Sequence, residues 1–89
     1  VTAFLKLLST EVAGEGVTVN NLQPGTHRTD RVARLSEDQS DKLRSDIPAG
    51  DLGSPADFGS VAAMLCSQQA NFVTGVGLHV DGGAYRGLQ

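Results

Sequence analysis

The sequence predicts an α/β fold with parallel strands. Two short β-branched runs, 17–22 and 76–80, lie far apart in the chain, and the 23–75 connection between them carries helix signals rather than hairpin signals. A long connection that contains helices is a crossover, and a crossover joins parallel strands. Parallel sheets are covered by helices on both faces, and two strands with three apolar elements do not complete such a sheet. Eighty-nine residues also make only a small core. The chain opens at Val1 inside an apolar helical pattern, with Met64 as its only methionine. The expectation is a single segment, 1–89, of a larger α/β sheet that is incomplete in this chain.

Residues 1–14 predict a helix. Phe4, Leu8 and Val12 recur at helical spacing, Val1, Leu5 and Leu7 widen the stripe, and Lys6, Thr10, Glu11 and Glu15 take the other side. Thr2 is the one capping residue at its start, and Gly14 and Gly16 are its terminators. The stripe reads as a core face or, in a second reading, as a face that packs on a partner subunit's helix. The first strand follows over 17–22. Asn20 and Asn21 sit at its carboxyl end, where a buried amide must find partners. They either tie neighbouring loops together or turn one side chain to a ligand. Pro24-Gly25 ends the strand, because proline lacks a ladder donor and glycine permits close approach.

Thr29 then caps a short helix with Val32 and Leu35 on one face. Ser36 and Gln39 form a capping box, with acids in the first turn of the next helix and Lys42 and Arg44 in its last. That helix, 36–45, has almost no apolar stripe, which predicts a solvated face and a candidate lid. Residues 47–53 are loop. Ser54-Pro55-Ala56-Asp57 is a strong helix start, and Phe58, Val61, Ala62 and Leu65 form a clean stripe over 55–67. Gly59 would let that helix approach a neighbour closely. Cys66 continues the apolar pattern and predicts a buried thiol. Val76, Leu78 and Val80 alternate with Gly77 and His79 as the second strand.

Composition removes several classes of function. The net charge is −3 with no Lys/Arg block, which speaks against nucleic acid. The longest apolar run, 61–66, is far short of a bilayer span. A lone cysteine forms no internal disulfide and suits a reducing cytoplasm. His27 and His79 have no second cysteine or histidine nearby, so no metal motif exists. Neither a P-loop nor a GxGxxG turn is present, since Gly75-Val76-Gly77 leads into a strand. What remains is the turn after the first strand. In open α/β sheets ligands bind beyond the carboxyl ends of the strands, and here free backbone groups, a threonine hydroxyl and a helix start converge over 24–29.

Four landmarks occur in order along the chain: Val17-Thr18-Val19-Asn20; Pro24-Gly25 with Thr29; Ile47-Pro48 with Leu52-Gly53 and Pro55; and Val73-Thr74-Gly75 leading to Val80-Asp81-Gly82-Gly83. Together they resemble the C-terminal third of a short-chain dehydrogenase/reductase, with a texture similar to 3-oxoacyl-acyl-carrier-protein reductases. The resemblance implies the last two strands of a Rossmann-type doubly wound parallel sheet. It implies hydride transfer between NAD or NADP and a small carbonyl or alcohol substrate, in a cytoplasmic homo-oligomer, dimer or tetramer. Pro24 and Gly25 would shape the turn beneath the nicotinamide, the backbone of His27 would meet its carboxamide, and Thr29 would hydrogen-bond the carboxamide or pyrophosphate. Residues 29–47 would be the substrate lid. The first helix would build one subunit interface, and the last helix, strand and tail another.

The sequence departs from the family in places. The catalytic Tyr-x-x-x-Lys pair is absent: the only tyrosine is Tyr85, followed four residues on by Gln89. The family's catalytic serine and its glycine-rich loop are absent too, so no catalytic residue is assigned and the segment alone is expected to be inactive. Position 27 is usually aliphatic, and Asp51 stands where arginine is common, which leaves that loop's pairing open. The alternative reading is a free-standing, non-catalytic binding or oligomerisation module.

Overall fold

A computed structural model describes residues 1–87. Its elements are α1 (Thr2–Val12), β1 (Asn21–Pro24), α2 (Asp30–Ala33), α3 (Glu37–Ser45), α4 (Pro55–Leu65) and β2 (Gly77–Val80), with short 3-10 turns after α1 and α4. The two strands pair in one sheet. The Asn21 amide donates to Val76 and the Gly25 amide to Val80, a constant offset that makes the pair parallel as expected. The chain divides into two compact units: Val1–Gln23 with Gly59–Leu78, and Pro24–Phe58 with the chain from His79 on.

In the first unit α1 ends as the sequence predicts, with Gly16 as a left-handed cap. Its inward face differs from the expected one. Ser9 is buried and Leu5, Leu8 and Val12 are half-buried, whereas Phe4 is 66% exposed. The buried row is i, i+3, i+4, i+7 from Leu5, and it is centred on a serine. That serine fits because its hydroxyl donates to the Lys6 carbonyl at 2.6 Å. Phe4 and Leu7 are thereby turned outward. Val1 rather than Thr2 occupies the N-cap, without a side-chain cap.

The first strand starts later than the sequence suggests. Residues 17–20 lie outside the ladder: the Gly75 amide donates to the Val19 carbonyl at 2.8 Å, and side chains take up further pairing. The Val19 amide donates to Thr74 Oγ1 at 3.0 Å. Asn20 donates through Nδ2 to the Val73 carbonyl and accepts the Val76 amide on Oδ1, each at 3.1 Å. Asn20 is therefore a tie between loops, the first of its two expected roles. The ladder then runs on to Pro24 and Gly25. Asn21 and Gly25 both donate across it, and Pro24 falls on the alternate position where no donor is needed.

Two further expectations change. A Cβ on Gly59 would meet nothing, so this glycine is not a close-contact site. Cys66 is exposed, not buried. The helix stops at Leu65, and the face of Ala62, Leu65 and Cys66 borders an open depression with Thr18, Val19, Asn20 and Leu22.

In the second unit local signals translate directly. Ser36 accepts from the Gln39 amide and the Gln39 side chain accepts from the Ser36 amide, so the capping box is present. α3 carries no buried residue, as its polar composition predicts. The core of this unit is Ile47 and Leu52, 7% and 5% exposed. Gly82 and Gly83 pack on Ile47 and Pro48, and the Ala49 amide donates to the Gly82 carbonyl at 3.0 Å. Two landmarks distant in sequence thus meet in one cluster. Among the described residues no helix is long and apolar enough to cross a membrane.

Candidate functional site

The segment after β1 is built like a short third strand. The Gly53 amide donates to the Thr26 carbonyl at 3.0 Å, and the Arg28 amide donates to the Gly53 carbonyl at 2.7 Å. These bonds make an isolated parallel bridge between His27 and Gly53. In such a bridge the flanking residues Thr26 and Arg28 face the partner, so the N–H and C=O of His27 point to the other side. Neither group has a hydrogen-bond partner among the described residues. A free donor and a free acceptor on one residue are the complement of a primary carboxamide.

An open cleft of about 420 Å³ lies along this segment. Pro24, Gly25, His27 and Thr29 all line it, so the four residues singled out in the sequence come together. Thr26, Val32, Pro55 and Phe58 complete the wall. Val32 and Phe58 lie on the apolar faces of α2 and α4, which gives the cleft a mostly apolar lining. Thr29 caps α2 by accepting the Val32 amide on Oγ1 at 3.4 Å. That bond uses an acceptor site only, and the hydroxyl proton stays available to a ligand.

Gly25 is required for a reason of space. A Cβ there would lie 2.7 Å from the Asp81 Cβ and 2.8 Å from its Cα. Asp81 in turn organises the chain beyond β2. Its carboxylate accepts the Gly83 amide at 3.0 Å and the Tyr85 amide at 2.9 Å, and lies 3.8 Å from His79 Nδ1. The Gly83 and Tyr85 amides, with His79 beside them, hold the Asp81 carboxyl below its ordinary value of 3.8. A carboxylate depressed on folding stabilises the fold above its unfolded pKa, and the contribution is lost as pH falls through the folded value. The 81–85 turn is therefore expected to keep the full contribution of Asp81 at neutral pH and to loosen on acidification below about 3.8. The Tyr85 ring stacks on His79 at 4.1 Å, so its fluorescence reports the turn. Emission unchanged under strong acid would contradict this account.

The sequence did not foretell the partners of Asp51. Its carboxylate accepts the Leu52 amide at 2.7 Å, pairs with Arg44 of α3 at 3.3 Å and lies 3.7 Å from Arg28. The Leu52 amide above all, aided by both arginines, holds this carboxyl below its ordinary range. These side chains are exposed, so the pairs orient the loop more than they stabilise it. Also unforeseen was the fit of Gly53 to His27: a Cβ on Gly53 would lie 2.5 Å from the ring Cδ2. The only signal in the sequence was a glycine in the loop before α4. Tyr85 is engaged with His79, and Gln89 lies outside the described residues.

A family model described as enoyl-(acyl carrier protein) reductase matches residues 1–85. The 3-oxoacyl-(acyl-carrier-protein) reductase FabG of Vibrio harveyi is 44% identical over 85 residues, which is 96% of this chain and 35% of the relative. The Escherichia coli enzyme of the same name is 43% identical over 82 residues, 92% of this chain and 34% of its own length. The chain thus spans about a third of the length of the curated relatives it matches. Among solved structures, YwfH, an NADPH-dependent reductase involved in bacilysin biosynthesis, superposes with a TM-score of 0.88 at 30% identity. That match covers 98% of this chain and 37% of the other.

Proposed function

The chain belongs to the short-chain dehydrogenase/reductase family, and from that premise we propose that it forms the nicotinamide-facing wall of an NAD(P)-dependent oxidoreductase. The observation that carries the reading is the unpartnered N–H and C=O of His27 on the open side of the His27–Gly53 bridge. Together they accept and donate one hydrogen bond each to the carboxamide. Pro24 and Gly25 hold the turn beneath the ring, and the Thr29 hydroxyl donates to the carboxamide or pyrophosphate while keeping its cap on α2. When bound, the cofactor supplies or accepts the hydride. The chain's own part is to fix the nicotinamide face toward the substrate and to exclude water with the apolar side chains of Val32 and Phe58. NADPH is the favoured form, because the solved relative is named as NADPH-dependent.

The substrate class is a small carbonyl or alcohol, and α2 with α3 over 29–47 forms its lid. Proton transfer falls to groups this segment does not carry, in a cytoplasmic homo-oligomer. The segment on its own is inactive. The test is Thr29→Ala in the full-length protein that carries this segment. Cofactor binding should weaken by about 1 kcal/mol, the size of one hydrogen bond. Calorimetric titration that returned the same Kd for both proteins would remove Thr29 from the site.

A further inference from the structure

The side chain of His27 is held on three sides. Its Nδ1 lies 3.0 Å from the Gly25 carbonyl oxygen, so Nδ1 carries a proton and donates it. Gly53, which has no Cβ, lies directly against Cδ2 and Nε2. The Phe58 ring meets the imidazole edge to face, with centroids 5.2 Å apart and planes at 75°. The remaining polar atom, Nε2, has no hydrogen-bond partner among the described residues and is not sealed from solvent. The ring therefore presents one free lone pair at the wall of the cleft.

We infer that His27 sets the preference of the cleft between oxidised and reduced nicotinamide, and that it does so through the charge of its ring. The inference rests on the proposed placement of the nicotinamide. Protonation at Nε2 breaks no bond, because Nδ1 already holds its own proton and keeps its bond to Gly25. A histidine tied through both nitrogens would lose a bond on gaining a charge, whereas this one gains the charge in place. The charged and titratable groups on the surrounding elements are Arg28 on its own segment, Asp30 and Arg31 on α2, Asp51 beside Gly53, Asp57 beside Phe58, and Asp81 packed under Gly25 with His79 beside it. None of them pairs with the ring, and Asp51 and Asp81 have the partners already described. A protonated His27 is thus an uncompensated cation on the cleft wall.

The two redox forms of the cofactor carry the same phosphates and sugars. They differ by the positive charge of the oxidised ring, so their affinity ratio cancels every phosphate contact and reports only what the ring meets. An imidazolium repels the oxidised ring and leaves the neutral reduced ring unaffected. Acidification therefore shifts the cleft toward the reduced form.

The experiment measures Kd for NADP+ and NADPH on the full-length protein that carries this segment, at about pH 8 and about pH 6, the range in which imidazole changes charge. The Kd ratio, oxidised over reduced, is expected to rise by about three- to tenfold at the lower pH, the size of a screened charge pair. His27→Asn keeps a donor for the Gly25 carbonyl and takes up no proton, so its ratio should be flat. A second measurement needs no variant: by linkage, the His27 ring followed by NMR should titrate at lower pH in the oxidised complex than in the reduced one. A flat ratio in the unaltered protein, with cofactor bound at both pH values, overturns the inference and leaves the cleft assignment standing. An equal rise in His27→Asn, or identical His27 titrations in the two complexes, also overturns it. Absence of cofactor binding at either pH overturns the cleft assignment itself, and the inference with it.

Discussion

Replacing Gly82 with alanine lowers stability by about 2–4 kcal/mol, the sum of left-handed backbone strain and core overpacking. Gly82 has φ of 64°, where a side chain is strained whatever space surrounds it. Space is lacking as well: the new Cβ would lie 2.7 Å from Ile47 Cγ2 and 3.1 Å from the Ala49 Cβ. Ile47 is one of the buried residues of its unit and has little room to turn away. Its neighbour Ala49 is tied to Gly82 by a backbone hydrogen bond, so displacing one displaces the other. Urea denaturation measures the effect, and Gly59→Ala is the matched control. Gly59 lies inside α4, a Cβ there meets nothing, and alanine is the better helix former, so that variant gains about 0.5–1 kcal/mol. Equal midpoints for the two variants would mean that the Ile47 cluster yields easily.

Gly25→Val has the next largest effect, a loss of about 1–3 kcal/mol from overpacking. The obstructing atoms are the Cα and Cβ of Asp81, which are held by the backbone and do not swing aside as a flexible side-chain tip would. The Gly25 amide is also bonded to the Val80 carbonyl at 3.0 Å, so the turn has no easy retreat. Pushing Asp81 outward loosens its bonds to the Gly83 and Tyr85 amides, and the stack of Tyr85 on His79 goes with them. The variant should therefore show a lower urea midpoint and an altered Tyr85 signal together. Loss of stability with an undisturbed Tyr85 would place the strain on β1 instead. In the full-length protein the same substitution moves the cleft wall and should weaken cofactor binding, in keeping with the proposed role of the turn.

Much of the candidate site was legible because its parts are local. Thr29 and Ser36 cap helices through bonds spanning three residues, and such spacing is written in the sequence itself. Helix existence, the polarity of α3 and the parallel sense of the strands follow from periodicity and connection length in the same way. Pro24, Gly25, His27 and Thr29 were marked by turn chemistry and by resemblance, and all four line one cleft. The misreadings came where periodicity was asked to give depth. Phe4 and Cys66 fit apolar stripes, yet a stripe gives only the direction of a helix face and not what covers it.

The sequence by itself determined the α/β class, the crossover, the helix caps and the family landmarks, because these depend on residue type and short-range spacing. The tertiary structure alone decided the contacts between distant segments: Asn20 with Val73 and Val76, Gly25 with Asp81, Gly53 with the His27 ring, and Gly82 with Ile47. Those contacts depend on the register in which segments many residues apart are laid together. A shift of one residue would turn the free N–H and C=O of His27 from the cleft onto the Gly53 strand, and no composition or periodicity records that choice.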